Sequence, residues 1–115
     1  MASLSMPFID FQTGHEHTIW DGIHGRMHHS EQLTFGHFRI DAGAILPAHS
    51  HPHEQWTHVV EGELEFTIDG ETTVLKPGMA AFIPSNAEHS ARALTACRVI
   101  DCFDPVREDF RALDQ

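Results

Sequence analysis

The sequence predicts an all-β fold, a barrel or sandwich built from short antiparallel strands. Helical periodicity is almost absent from its 115 residues, and stretches alternating apolar with polar residues recur instead. Turn-forming residues separate these stretches at intervals of roughly eight to twelve residues, the spacing of a sandwich or barrel. A chain of this length is expected to form one domain over residues 1–115, with a single core.

The elements follow in order. Residues 1–30 carry the weakest pattern and are assigned to a strand or arm. "LTFGHFRID" and "GAILPAHSH" are the next two strand candidates. In "ELEFTI", Leu64, Phe66 and Ile68 alternate with Glu63, Glu65 and Thr67, which describes a half-buried strand. Asp69-Gly70 supplies a two-residue hairpin turn, and "ETTVL" returns antiparallel. Lys76-Pro77-Gly78 turns the chain into "MAAFI", Pro84-Ser85-Asn86 breaks it before "EHSARAL", and "ACRVIDCF" makes a last long strand. The tail "DPVREDFRAL" predicts a short helical turn with Asp104 as N-cap and Pro105 at the first position.

Composition narrows the function. A formal net charge of −10 repels phosphate backbones, so nucleic acid is not an expected partner. No apolar run approaches the ~18 residues that span a bilayer, and the first ten residues lack a signal-peptide pattern. A cytoplasmic protein with reduced thiols is expected. Cys97 and Cys102 sit at an odd offset, which on one strand places them on opposite faces and argues against a bridge.

Eleven histidines are a high count for this length, and they are not spread evenly. His15, His17, His24, His28 and His29 show no ligand-like order and are expected to face solvent. "HSHPHEQ" (49–55) is different. On an extended strand His49 and His51 point the same way, and Gln55 regains that face at an even offset. Glu54 has the opposite parity, and Pro52 distorts the strand near His53, so neither is expected to be a ligand. His89 opens a strand after the Pro84-Ser85-Asn86 turn and is the candidate fourth group. Imidazoles with one oxygen suit a divalent transition metal such as Ni, Zn, Fe or Mn.

Gly43-x5-His49-x-His51-x3-Gln55-x6-Gly62 resembles the first motif of the cupins, and Gly78-x5-Pro84-x-Asn86-x2-His89 resembles the second. The likeness covers about residues 33 to 103. Gln55 stands where that family usually has glutamate, and Asn86 where it usually has glycine. The resemblance implies a small jelly-roll β-barrel, a homodimer, and one divalent metal held by His49, His51, Gln55 and His89.

The wording of "HSHPHEQ" and the ending Asp101-Cys-Phe103-Asp-Pro-Val-Arg107 further resemble the pectin-degradation cupins of the KdgF type. That resemblance implies a metal-dependent isomerase that linearises 4,5-unsaturated monouronates from pectin or alginate, an anionic sugar as partner, and Asp101, Phe103 and Arg107 beside the metal. The residues support part of this unaided. Val99, Asp101 and Phe103 share one face of the last strand, and an ionised aspartate facing inward is costly unless paired or near a metal. A structural Asp101–Arg107 ion pair is the plainer reading of the same residues. Cupins also include dioxygenases and non-catalytic binders, which are the alternative functions.

Overall fold

A computed structural model describes residues 7–113. Ten strands run β1 (His17–Trp20), β2 (Ile23–His29), β3 (Thr34–Ile40), β4 (Ile45–His49), β5 (Glu54–Glu61), β6 (Leu64–Ile68), β7 (Glu71–Leu75), β8 (Ala80–Ile83), β9 (His89–Ala93) and β10 (Cys97–Asp104). One short helix, α1 (Glu108–Ala112), follows. They form two antiparallel sheets, ordered β1-β2-β3-β10-β5-β8 and β4-β9-β6-β7. The expected all-β barrel is therefore present, with only a short helix at the C-terminal end.

Alternation explains the layering. Along β10, Cys97, Val99, Asp101 and Phe103 are buried while their neighbours face out, and β5 buries Gln55, Thr57 and Val59. β6 and β9 answer from the second sheet with Leu64, Phe66, His89 and Ala93, so one apolar core fills the space between. The β6–β7 hairpin turns at Asp69 and Gly70, with φ of 48° and 83°, the left-handed pair of a two-residue turn.

Asn86 departs from the usual glycine, and its backbone explains how. Its φ is 66°, a left-handed conformation that asparagine tolerates better than most side chains. The cysteines are both free, Cys97 buried and Cys102 half-buried, as their opposite parity implied.

Two expectations need correction. Asp104 is the last residue of β10 rather than a cap, the Asp104–Pro105 bond is cis, and the helix begins at Glu108 with Arg107 in the N-cap position. A residue before proline is biased to extended backbone, which suits the end of a strand. The N-terminal histidines are also less exposed than expected. His15 is exposed, but His17, His24 and His28 are half-buried and His29 is buried, because residues 17–29 form β1 and β2. The His29 ring meets the Thr34 hydroxyl at 2.8 Å. Residues 1–6 of the expected arm lie outside the described residues.

Candidate metal centre

Three imidazoles converge at one end of the barrel. β4 and β9 pair with His49 opposite His89, which sets these two rings 4.2 Å apart between centroids. His51 reaches the same place by another route than strand parity. β4 ends at His49, so His51 stands in the loop before β5. That loop is tied to the β8–β9 turn: the Asn86 N–H donates to the His51 carbonyl at 2.8 Å, and the Ser85 hydroxyl donates to the Pro52 carbonyl at 2.6 Å. The turn that presents His89 thus also fixes His51.

Hydrogen bonds set the state of each ring. His49 Nδ1 lies 2.8 Å from the Pro47 carbonyl, His51 Nδ1 3.0 Å from that of His53, and His89 Nδ1 2.9 Å from that of Ala87. A carbonyl oxygen only accepts, so in His49 and His89 Nδ1 carries the proton and Nε2 is left free for a metal, whereas His51 faces an acceptor at each ring nitrogen, the His53 carbonyl and Gln55 Oε1. One ligand atom from each of the three rings can be chosen so that all lie within 4.8 Å of one another. Burial holds His51 below the ordinary histidine range and pushes His89 down to about 4, so both rings stay neutral. His89 Nε2 is buried with no hydrogen-bond partner, an orphan that a cation would satisfy. The cluster could hold a divalent metal ion.

Gln55 adjoins His51. Its Oε1 lies 3.0 Å from His51 Nε2, while its Nε2 donates to the Thr57 hydroxyl at 2.9 Å and faces Asp101 Oδ2 at 3.5 Å. Glu54 is exposed, and His53 is half-buried outside the trio.

A cavity of about 400 Å³ opens beside this centre, and His49, Gln55, Asp101, Phe103 and Arg107 line it. Asp101 is 8% exposed, and its Oδ1 has no partner. Burial pushes its carboxyl up to about 7, against the opposing pull of the Thr57 hydroxyl and the Arg107 charge. Arg107 does not form the ion pair with Asp101 that the plainer reading required. Its Nε and Nη2 donate to Asp109 at 3.0 and 2.8 Å, and its guanidinium lies 3.9 Å from the Phe110 ring centroid and 4.9 Å from that of Phe103.

Sequence reasoning missed three contributors. Thr57 was legible in the parity of β5, since it shares the inward side with Gln55 and Val59. Asp109 and the cavity-lining Trp20, whose ring lies 5.8 Å from that of His49, gave no pattern to read.

Comparison with known proteins shows the family. A family model described as "Cupin domain" matches residues 36–103. The chain belongs to the cupin family. This cupin is 36% identical to the pectin degradation protein KdgF of Dickeya dadantii (strain 3937), over 90% of its own length and 96% of the relative's. Among solved structures, an RmlC-like cupin from Shewanella frigidimarina is 34% identical with a TM-score of 0.86, covering 92% of this chain and 96% of that one. KdgF from a Halomonas species is 33% identical with a TM-score of 0.82, covering 90% and 96%.

Proposed function

We propose that this cupin is a metal-dependent isomerase that converts 4,5-unsaturated monouronates, released from pectin or alginate, to linear 4-deoxy-5-keto uronates. The observation that carries the reading is the buried Asp101 carboxyl, with one oxygen unpartnered, in a cavity that abuts three convergent imidazoles. Similarity over 90% of the chain to a relative named for pectin degradation supports the substrate class.

His49, His51, His89 and Gln55 are the ligands we assign to one divalent ion, Ni, Zn, Fe or Mn. With the His51 proton on Nδ1, towards the His53 carbonyl, Nε2 and Gln55 Oε1 at 3.0 Å both offer lone pairs that one cation can share. Bound there, such an ion supplies Lewis-acid polarisation of a substrate oxygen.

The remaining chemistry belongs to the side chains. Asp101 takes the proton of the anomeric hydroxyl as the bond from C1 to the ring oxygen breaks, leaving an aldehyde at C1 and an enolate at C5. The same carboxyl returns the proton to C4, which becomes a methylene as C5 becomes a ketone. One proton moves and no electrons are gained or lost, so neither oxidant nor reductant enters. A carboxyl held near neutrality suits both halves of that transfer. Arg107 clamps the substrate carboxylate, and Phe103 packs on the sugar and excludes water.

Proton NMR of 4,5-unsaturated galacturonate with the metal-loaded protein tests the reading. Loss of the C4 vinyl proton, a new methylene and no oxygen uptake are expected. Oxygen consumption would favour a cupin dioxygenase, and stabilisation of the fold without turnover would favour a binding protein.

A homodimer accompanies this reading, and the outer face of the larger sheet is its interface. His28, Phe35, Cys102, Trp56 and Phe82 form one register row across β2, β3, β10, β5 and β8, and Arg26, His37, Ile100, His58 and Ala80 form the next. Neither row contains a carboxylate, in a chain with seventeen acidic residues. Glu54 and Asp104 flank one end, and Arg39 and Arg98, ion-paired with Glu16, Asp41 and Glu61, flank the other, so these charges lie at the margins of this face.

A further inference from the structure

Arg107 is held on four sides. Asp109 accepts from its Nε at 3.0 Å and its Nη2 at 2.8 Å, a two-pronged pairing along one edge of the guanidinium. The plane of the group lies against Phe110 and Phe103, and its side chain is only 13% exposed. Its main-chain N–H donates at 2.8 Å to the hydroxyl of Thr34, a fully buried residue that also meets the His29 ring. A guanidinium has five N–H donors, and Asp109 uses two. The three left over, two on Nη1 and one on Nη2, form the opposite edge.

We propose that Asp109 is a positioning residue for Arg107, fixing one edge of the guanidinium so that the other edge is presented to a carboxylate in the cavity. The inference rests on the uronate reading for the identity of that carboxylate. Both residues line the cavity, as the arrangement requires. The Arg107 hydrogen bonds also hold the Asp109 carboxyl below its ordinary range, so it stays ionised and the pairing persists. Without Asp109 the two rings still shelter the guanidinium, but rotation within its plane is unrestrained, and a planar fork loses its value when its direction is not set.

Glu108 is the natural control. It also stands in the first turn of α1, where an acidic side chain suits the helix start, but it pairs with Arg111. A purely structural role in α1 would make Glu108→Gln and Asp109→Ala behave alike. The test combines steady-state kinetics on unsaturated galacturonate with the NMR signal of the Arg107 Nε–H group, in wild type, Asp109→Ala, Asp109→Asn and Glu108→Gln. Asp109→Ala should raise KM about tenfold with kcat little changed, Asp109→Asn should fall between, and Glu108→Gln should match wild type. The protected Nε–H signal of Arg107 should vanish in Asp109→Ala and persist in Glu108→Gln. An unchanged or lower KM in Asp109→Ala, or an unaltered Nε–H signal, would overturn the proposal. A wild type inert on uronates whose Nε–H signal still responds to Asp109 alone would overturn the substrate reading and leave the positioning role standing.

Discussion

The Gln55 side-chain nitrogen lies 3.5 Å from Asp101 Oδ2, while the oxygen of the same amide faces the His51 ring at 3.0 Å. One neutral amide therefore serves two neighbours of opposite need. Glutamate at this position would cancel one charge of a dication, but it would also replace the donor that faces Asp101 with a second carboxylate oxygen. Gln55→Glu should bind metal at least as tightly as wild type and convert unsaturated uronates less well. Metal affinity measured beside KM and kcat checks this. Higher uronate affinity in the variant would show that ligand charge does not govern recognition.

Asp101→Asn should keep the fold and the metal but lose turnover by about 10²–10⁴-fold, the usual range for a general acid/base. The amide is nearly isosteric and cannot take up a proton. Single-turnover kinetics on metal-loaded variant provide the measurement, and unchanged activity would return Asp101 to a structural role.

The metal-free protein reports the same residue through pH. The Asp101 carboxyl is held at about 7 in the fold against an ordinary 3.8, so the folded state binds this proton more tightly. Its contribution to stability is fully present below the ordinary value and is lost as pH rises through about 7. His89, held at about 4 against 6.5, runs the other way, with stability present above 6.5 and lost as pH falls through 4. Asp101→Asn removes only the first contribution. The urea midpoint of wild type relative to this variant should therefore fall between the ordinary and the shifted value, and a flat difference would contradict the burial argument.

Trp56 offers the check on self-association. It is 54% exposed, sits 4.8 Å from the Phe82 ring and occupies the aromatic row of the larger sheet. Trp56→Glu places a negative charge on a face whose two central rows hold no carboxylate and should convert a dimer to a monomer in sedimentation, with the fold kept. A wild-type monomer, or a variant that stays dimeric, would reject this face as the interface.

Much of this architecture was legible because strand parity is a strict code. "ELEFTI" and "ACRVIDCF" alternate cleanly, and their buried sides are those the alternation indicates. His51 shows where the code stops. Its convergence with His49 was expected from a shared strand face, yet it comes from a loop pinned by the Asn86 main-chain N–H and the Ser85 hydroxyl. The helix start was misplaced because Asp104-Pro105 has the composition of a cap while its backbone belongs to the strand. His29 looked like one of several exposed histidines because β2, which buries every second residue, reads IHGRMHH, with three histidines and a glycine among only two large apolar side chains. The Asp109–Arg107 pairing depends on where α1 meets the barrel, and local sequence does not encode that contact.

Metal dependence itself should follow the imidazoles. His49→Ala with His89→Ala should abolish stoichiometric metal, whereas His53→Ala should retain it, because His53 stands outside the convergent trio. Elemental analysis of the purified variants decides this, and equal metal content in the double variant and wild type would remove the assignment.

The most direct test of the account follows 4,5-unsaturated galacturonate by proton NMR with the protein as purified, after chelation, and after a divalent ion is restored. The account predicts conversion to the 4-deoxy-5-keto product, its loss on chelation and its return with metal. Full activity in the chelated protein, or no conversion by the metal-loaded protein, would contradict it.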